Sequence, residues 1–135
     1  MPAKDRYHNA VAHALIKSGW SITSEQVFVK FYERHLWIDI QAERIENQEN
    51  ILFEVKGFQN LSSPVEYLET VIGQYLLYQA VLEDLEINIP LYLAVPAAAY
   101  QGILSEEIGK VAIRKAAVKM LVFDPVSEEV LEWIP

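Results

Sequence analysis

The chain has 135 residues, 52% of them hydrophobic, and its 11 Lys and Arg stand against 19 Asp and Glu for a formal net charge of −8. That is one domain, able to bury roughly two-thirds of its unfolded surface; the acid excess excludes a broad DNA-coating surface, which needs many phosphate-neutralising cations, and the absence of cysteine excludes a disulfide scaffold or a thiolate metal site. No apolar run reaches the length of a membrane span and the charged opening "MPAKDRYHN" has no signal-peptide core, so a cytoplasmic protein with no membrane partner is expected.

The first element is a helix over about residues 4–17, where Tyr7, Ala10, Val11, Ala14 and Leu15 recur at helical spacing and Gly19 is placed as a stop. "VFVKF", residues 27–31, reads as a strand. Residues 36–42 and 51–58 read as two more, joined by a polar connection over 43–50 with Asn47 and Asn50 as turn formers. Ser63 as N-cap, Pro64 at the first helical position and Glu66 closing a capping box start a long helix. Its buried face carries Val65, Leu68, Ile72, Tyr75, Leu76, Gln79 and Leu82, and it runs to about Glu86. Residues 91–95 form a continuous apolar strand covered on both faces and ended by Pro96. After a less regular stretch over 97–104, Ser105 is expected to cap a helix over 106–115. "VKMLVFD" and "EEVLEWI" then make two short strands around a turn at 124–128. The order α-β-β-β-α-β-α-β-β predicts an α/β (α+β) domain over residues 1–135, a mixed sheet flanked by helices.

Within this order the stretch from Asp39 to Lys56 has the pattern D-x14-E-x-K. If the strands pair around the 43–50 connection, Asp39 lies opposite Glu54, and Lys56 shares the face of Glu54 because strand side chains alternate. Ile38, Ile40, Phe53 and Val55 then point into the core. Two carboxylates ~4 Å apart repel by roughly 4 kcal/mol at an effective dielectric near 20. A divalent cation removes that conflict, and oxygen-only ligands suit Mg2+ or Mn2+ rather than zinc. A bound metal beside an amine is a kit for in-line attack of water on a phosphodiester, with Lys56 orienting the nucleophile or offsetting developing charge. The bland alternative for the same spacing is a solvated hairpin face with a cross-strand ion pair.

The order α-β-β-β-α-β with an Asp on the second strand and E-x-K on the third resembles the restriction-endonuclease-like, or PD-(D/E)xK, superfamily. Gln74 and Tyr78 on the following helix resemble the Q-x-x-x-Y motif of its RecB-type branch, and being four apart they project from one helix face. A resemblance covering nearly the whole chain is carried by "MPAKDRYHNAVAHALIKSGWSIT", "IDIQAE", "FEVKGF", "ETVIGQYLLYQAVL", "LYLAVP" and "VFDPVSEEVLEWI". These blocks are similar to the XisH family, the fdxN element excision controlling factors of cyanobacteria. That resemblance implies a part in programmed excision of a DNA element during heterocyst development, a small protein partner of the XisI type, and a separate site-specific recombinase for strand exchange. The endonuclease-like pattern, in turn, implies Asp39, Glu54 and the Val55 carbonyl as ligands of Mg2+ (or Mn2+), Lys56 as the catalytic amine, and Gln74 and Tyr78 as supports. Gln41 stands where relatives are expected to have Gly; two residues from Asp39, it is expected on the active face, where it would alter metal access.

Other residues carry weaker signals. Asp5 and His8 fall three apart on the first helix; superfamily members place an acid there, and His8 is a candidate contact to metal or phosphate. Glu25 precedes the first strand and is a candidate to approach the site. Trp20, Trp37 and Trp133 read as packing anchors, with Trp37 on the face of Asp39, while His13 and His35 have no motif behind them. Gly57 is placed to relieve crowding after Lys56. Lys110, Arg114, Lys115 and Lys119 form the densest basic cluster and read as the solvated side of the last helix. The high apolar content makes a homodimer an expectation. Two functions are compatible with these residues: a Mg-dependent endonuclease assisting excision, and a catalytically silent endonuclease-fold module that regulates a recombinase through protein contacts.

Overall fold

The computed structural model describes residues 4–59 and 62–135. Among these, the helices are α1 (His8–Lys17), α2 (Pro64–Asp84), α3 (Ala97–Gln101) and α4 (Glu107–Ala116), with a 3-10 turn at Ile103–Ser105. The strands are β1 (Trp20–Phe31), β2 (Arg34–Arg44), β3 (Asn50–Val55), β4 (Leu91–Pro96), β5 (Met120–Asp124) and β6 (Glu129–Ile134). They form one sheet in sequential order, antiparallel at β1/β2, β2/β3 and β5/β6 and parallel at β3/β4 and β4/β5.

That order sets the layers. The two parallel connections step in the same direction, so crossovers of the usual right-handed sense put α2 and α4 on one face, and these helices touch. The other face is left for α1, which packs on β1, β5 and β6. Alternation along the central strands feeds both layers: Leu91, Leu93 and Val95 with Met120 and Val122 join the core under α2, while Tyr92 and Ala94 with Leu121 and Phe123 join the core under α1. A strand apolar on both faces reads as a continuous run, which is why "LYLAVP" is legible as a buried strand. Trp20, buried, packs against Trp133 at 5.6 Å and edge-on to Phe53 at 6.4 Å.

The long helix is held where the site needs it. Ser63 Oγ accepts the Glu66 N–H at 3.4 Å and Pro64 opens the first turn, as the sequence predicts. Farther along, the Tyr75 hydroxyl donates to the Leu91 carbonyl at 2.9 Å and accepts the Lys119 N–H at 3.3 Å, which pins α2 to the sheet at β4 and just before β5.

Five features depart from expectation. Val65 and Leu76, expected on the buried face of α2, are exposed. Strand β1 begins at Trp20, not near Val27, because the bulge between Ile22 and Ser24 breaks the two-residue period, and Gln26 takes a left-handed backbone (φ 54°) without a change of register. Helix α1 starts at His8; Asp5 lies in the turn before it. The stretch after Pro96 holds α3 and a 3-10 turn, each too short to show a period. Ser105 does not cap α4: its hydroxyl donates to the carbonyls of Gln101 and Gly102, and Glu106 is the N-cap residue. No described helix is long and apolar enough to cross a membrane.

Candidate active site

The β2/β3 ladder runs from Glu43↔Asn50 to Ile40↔Phe53, and the next facing pair is Asp39 and Glu54. There the main-chain ladder gives way to side chains. The Asp39 N–H donates to Glu54 Oε1 at 3.1 Å, and the Val55 N–H donates to Asp39 Oδ2 at 2.7 Å. On the other flank the β1/β2 register passes from Glu25↔Ile40 to Val27↔Ile38, leaving Gln26 and Asp39 opposite each other but unpaired. The sheet therefore opens at Asp39 while both carboxylates stay fixed by backbone donors. Ile38, Ile40, Phe53 and Val55 are at most 1% exposed, as the alternation predicts.

Lys56 follows β3 directly. Its N–H donates to the Ala94 carbonyl at 3.0 Å, and its Nζ lies 3.9 Å from Glu54 Oε2. Helix α2 supplies Gln74 and Tyr78 one turn apart, with Gln74 Nε2 donating to the Tyr78 hydroxyl at 2.9 Å. Asp39, Glu54, Val55, Lys56, Gln74 and Tyr78 all line one cavity of about 620 Å³, so the two acids, the amine and the Gln–Tyr pair are brought together. Trp37 lines it as well, and so does His35, which no motif had marked.

Electrostatically the two acids are held against their ordinary behaviour. Glu54 is 4% exposed, and its pKa is pushed up to about 8, first by burial and then by the Asp39 carboxylate, against the smaller pull of Lys56 and the Asp39 N–H. Burial also raises Asp39, opposed by the Val55 N–H and by His8 and Lys56. Burial raises the Tyr78 phenol too, against its bond from Gln74.

Behind the carboxylates lies a supporting layer. His8 is 1% exposed and does not line the cavity; its Nε2 lies 2.6 Å from Glu25 Oε1, and its Nδ1 has no partner. That bond, the largest influence on Glu25, holds its carboxyl below the usual range. Asp5 lines the cavity itself, at its margin as expected; its Oδ1 accepts the Tyr7 N–H at 2.9 Å and its Oδ2 accepts the Gly57 N–H at 3.3 Å, tying the segment before α1 over the exit of Lys56. A Cβ on Gly57 would meet Asp5 Oδ1 and Tyr7 Cδ2 at 3.3 Å, so the predicted relief of crowding is real. Gln26 is the residue that sequence reasoning missed. Its amide is buried with neither polar atom bonded, and it stands opposite Asp39 in unbroken register with a left-handed backbone. The signal available was the polar "SEQ" interrupting the alternation between Ile22 and Val27.

Gln41 requires a correction. It does not line this cavity: Gln41 Nε2 donates to Asn50 Oδ1 at 3.1 Å, and the side chain borders a separate groove with Leu52 and Leu82. Facing Leu52 in the ladder, it is two steps beyond the point where the strands open.

The donor set fits a hard divalent cation. Asp39 Oδ1 and Glu54 Oε2 are the carboxylate oxygens not taken by backbone donors, and Mg2+ keeps several waters while using one or two protein carboxylates. No cluster of three or more metal-ligating His, Cys, Asp or Glu side chains occurs among the described residues, so a cation here would rest on these two acids, the Val55 carbonyl and water.

Comparison with known proteins places the architecture. The family model described as "XisH protein" matches residues 1–131. An XisH family protein of Nostoc punctiforme, known as a crystal structure, is 34% identical over 97% of this chain and 100% of its own, with a TM-score of 0.89. The crystal structure of an fdxN element excision controlling factor protein of Anabaena variabilis is 35% identical over 98% of this chain and 100% of its own, with a TM-score of 0.90. A search of curated proteins finds no match. A family match over nearly all of its length, joined to two whole-chain structural relatives, establishes that this chain belongs to the XisH family.

Proposed function

We propose that this chain is a controlling factor for excision of a DNA element and acts through a divalent-cation phosphodiester site at Asp39, Glu54 and Lys56. The observation that carries the reading is the opening of the β2/β3 ladder, where two carboxylates replace backbone acceptors and face one cavity with an amine. The excision role follows that of the Anabaena relative, an fdxN element excision controlling factor protein, and the order α-β-β-β-α-β supports a restriction-endonuclease-like core. Asp39, Glu54 and the Val55 carbonyl would hold Mg2+ (or Mn2+), which when bound acidifies a water and screens the phosphate. Lys56 orients the attacking water toward phosphorus and offsets charge growing on the phosphate oxygens. The Gln74–Tyr78 bond fixes the phenol at the cavity wall, where it is a donor to a phosphate oxygen. Incubation with DNA in Mg2+ is expected to give strand breaks that stop on chelation by EDTA; breaks that persist undiminished in EDTA would remove the metal from the mechanism.

One observation favours a second reading. The net charge of −8 suits a basic protein better than bare DNA. On this reading the fold regulates a site-specific recombinase in the cytoplasm through an XisI-like partner, in a cyanobacterial cell forming heterocysts, and exposed Leu76 and Leu77 on α2 offer a homodimer contact. Co-elution with an XisI-like protein at micromolar concentration, unchanged by Lys56→Met, is then expected; separate elution would count against the partner.

A further inference from the structure

The β1/β2 hairpin forms one wall of the cavity and carries side chains that metal chemistry does not need. In its register Phe28 faces Trp37 and Lys30 faces His35, so these four share one side of the ribbon. Phe28 stacks on His35 with ring centres 5.0 Å apart and planes at 28°; Trp37 meets them edge-on at 5.1 Å and 5.9 Å. The opposite side of the ribbon, with Val27, Val29, Leu36 and Ile38, is committed to the core under α2. The aromatic side is open: β1 is an edge strand, Phe28 is 52% exposed and Trp37 is half-buried.

Charge gathers at the same place. On a chain of net charge −8, Lys30 projects from the strip and Arg34 stands at its turn, where Glu33 is the adjacent acid. Arg34, His35 and Trp37 line the same cavity as Asp39, Glu54 and Lys56, as does Lys4. Phe28 and Lys30 border the neighbouring groove with Leu82 and Leu85, and the contacts of Phe28 with His35 and Trp37 carry the strip from there to the carboxylate cavity.

We infer that this strip is a track for a single, unpaired nucleic-acid strand. Bases stack on Phe28, His35 and Trp37, Lys30 and Arg34 hold the phosphates, and one phosphodiester is delivered to the two carboxylates. Ring faces flanked by cations are what an unpaired strand needs, since every base has a stacking face. A duplex keeps those faces inside its own stack, and the acid surface elsewhere offers it few phosphate contacts. A protein partner would also cover the rings, but it would not account for cations leading into a phosphodiester cavity. The inference rests on the proposed phosphodiester reading and names its substrate class.

The test is fluorescence anisotropy of a labelled oligodeoxythymidine and of the same strand in duplex, on the Asp39→Asn protein so that no substrate is consumed. The single strand is expected to bind at least about tenfold more tightly than the duplex, and Phe28→Ala or Trp37→Ala to weaken it about five- to a hundredfold. Lys30→Ala with Arg34→Ala is expected to flatten the salt dependence. Phe28→Leu keeps apolar area without the ring; it should melt like the parent yet still lose affinity, which separates stacking from hairpin stability. Equal affinity for both forms, or no effect of Phe28→Leu, overturns the track, and cleavage of duplex DNA by the unsubstituted protein would then leave the phosphodiester reading standing. Binding of neither form, with Trp37 fluorescence responding only to a protein partner, overturns it and assigns the strip to protein contact.

Discussion

Asp39→Asn is expected to lower Mg2+-dependent DNA cleavage by about a thousandfold or more without unfolding the protein. The asparagine oxygen can still accept the Val55 N–H, so the opened end of the β2/β3 ladder keeps its anchor. What disappears is the charge. A divalent cation supplies several kcal/mol of transition-state stabilisation, and each ~1.4 kcal/mol is a factor of ten in rate. Asp39→Ala is a poorer probe, because it also leaves the buried Val55 N–H without a partner, a penalty of about 1–3 kcal/mol to the fold itself. Lys56→Met should give a comparable loss of rate with metal affinity retained, because the methionine keeps the stem and removes only the amine. Steady-state cleavage and melting curves measured side by side check both. A Lys56→Met protein as active as its parent would strip the lysine of its role.

The second large effect is on stability and runs with pH. In the metal-free fold Glu54 holds its proton up to about pH 8, whereas the unfolded chain releases it near 4.5. Between those values the folded state binds the extra proton, so stability falls as pH rises through that window. The slope approaches about 1.4 kcal/mol per pH unit, several kcal/mol in all. Asp39 is raised as well and adds in the same direction, so the pair titrates together. Glu54→Gln keeps an acceptor for the Asp39 N–H and removes the titration. It is expected to be a few kcal/mol more stable than the parent at pH 8 and nearly equal to it at pH 5, by urea denaturation in EDTA. Saturating Mg2+ should close the gap at pH 8 by stabilising the parent alone. Parallel pH profiles for the two proteins would show that Glu54 carries no such burden.

The site was legible to the extent that it obeys simple periods. Residues 36–42 and 51–55 read as strands, the first alternating between buried and half-buried from Trp37 on and the second buried throughout, and their register follows once the connection between them is recognised. Asp39, Glu54 and Lys56 therefore meet where the spacing places them, and Gln74 and Tyr78 meet because four residues make about one helical turn. What stayed hidden is where the period breaks. The bulge between Ile22 and Ser24 conceals the first half of β1, and the left-handed Gln26 conceals the gap beside Asp39. The exchange of ladder bonds for carboxylate bonds leaves no trace in spacing. His8 was a candidate contact to metal or phosphate because its partner, Glu25, lies seventeen residues away on another element and leaves no mark on the helix. Gln41 was assigned to the site by proximity in sequence, although the strands diverge only beyond it. His35 and Trp37 acquire meaning only when the hairpin is seen to wall the cavity.

The most direct measurement is anomalous scattering from crystals soaked in Mn2+, with the Asp39→Asn protein treated alike. A single anomalous peak bridging an oxygen of Asp39 and one of Glu54, absent from the variant, is the predicted result. A protein that takes no manganese between these two carboxylates, or takes it only at other surface acids, would contradict the cation site on which the chemistry depends.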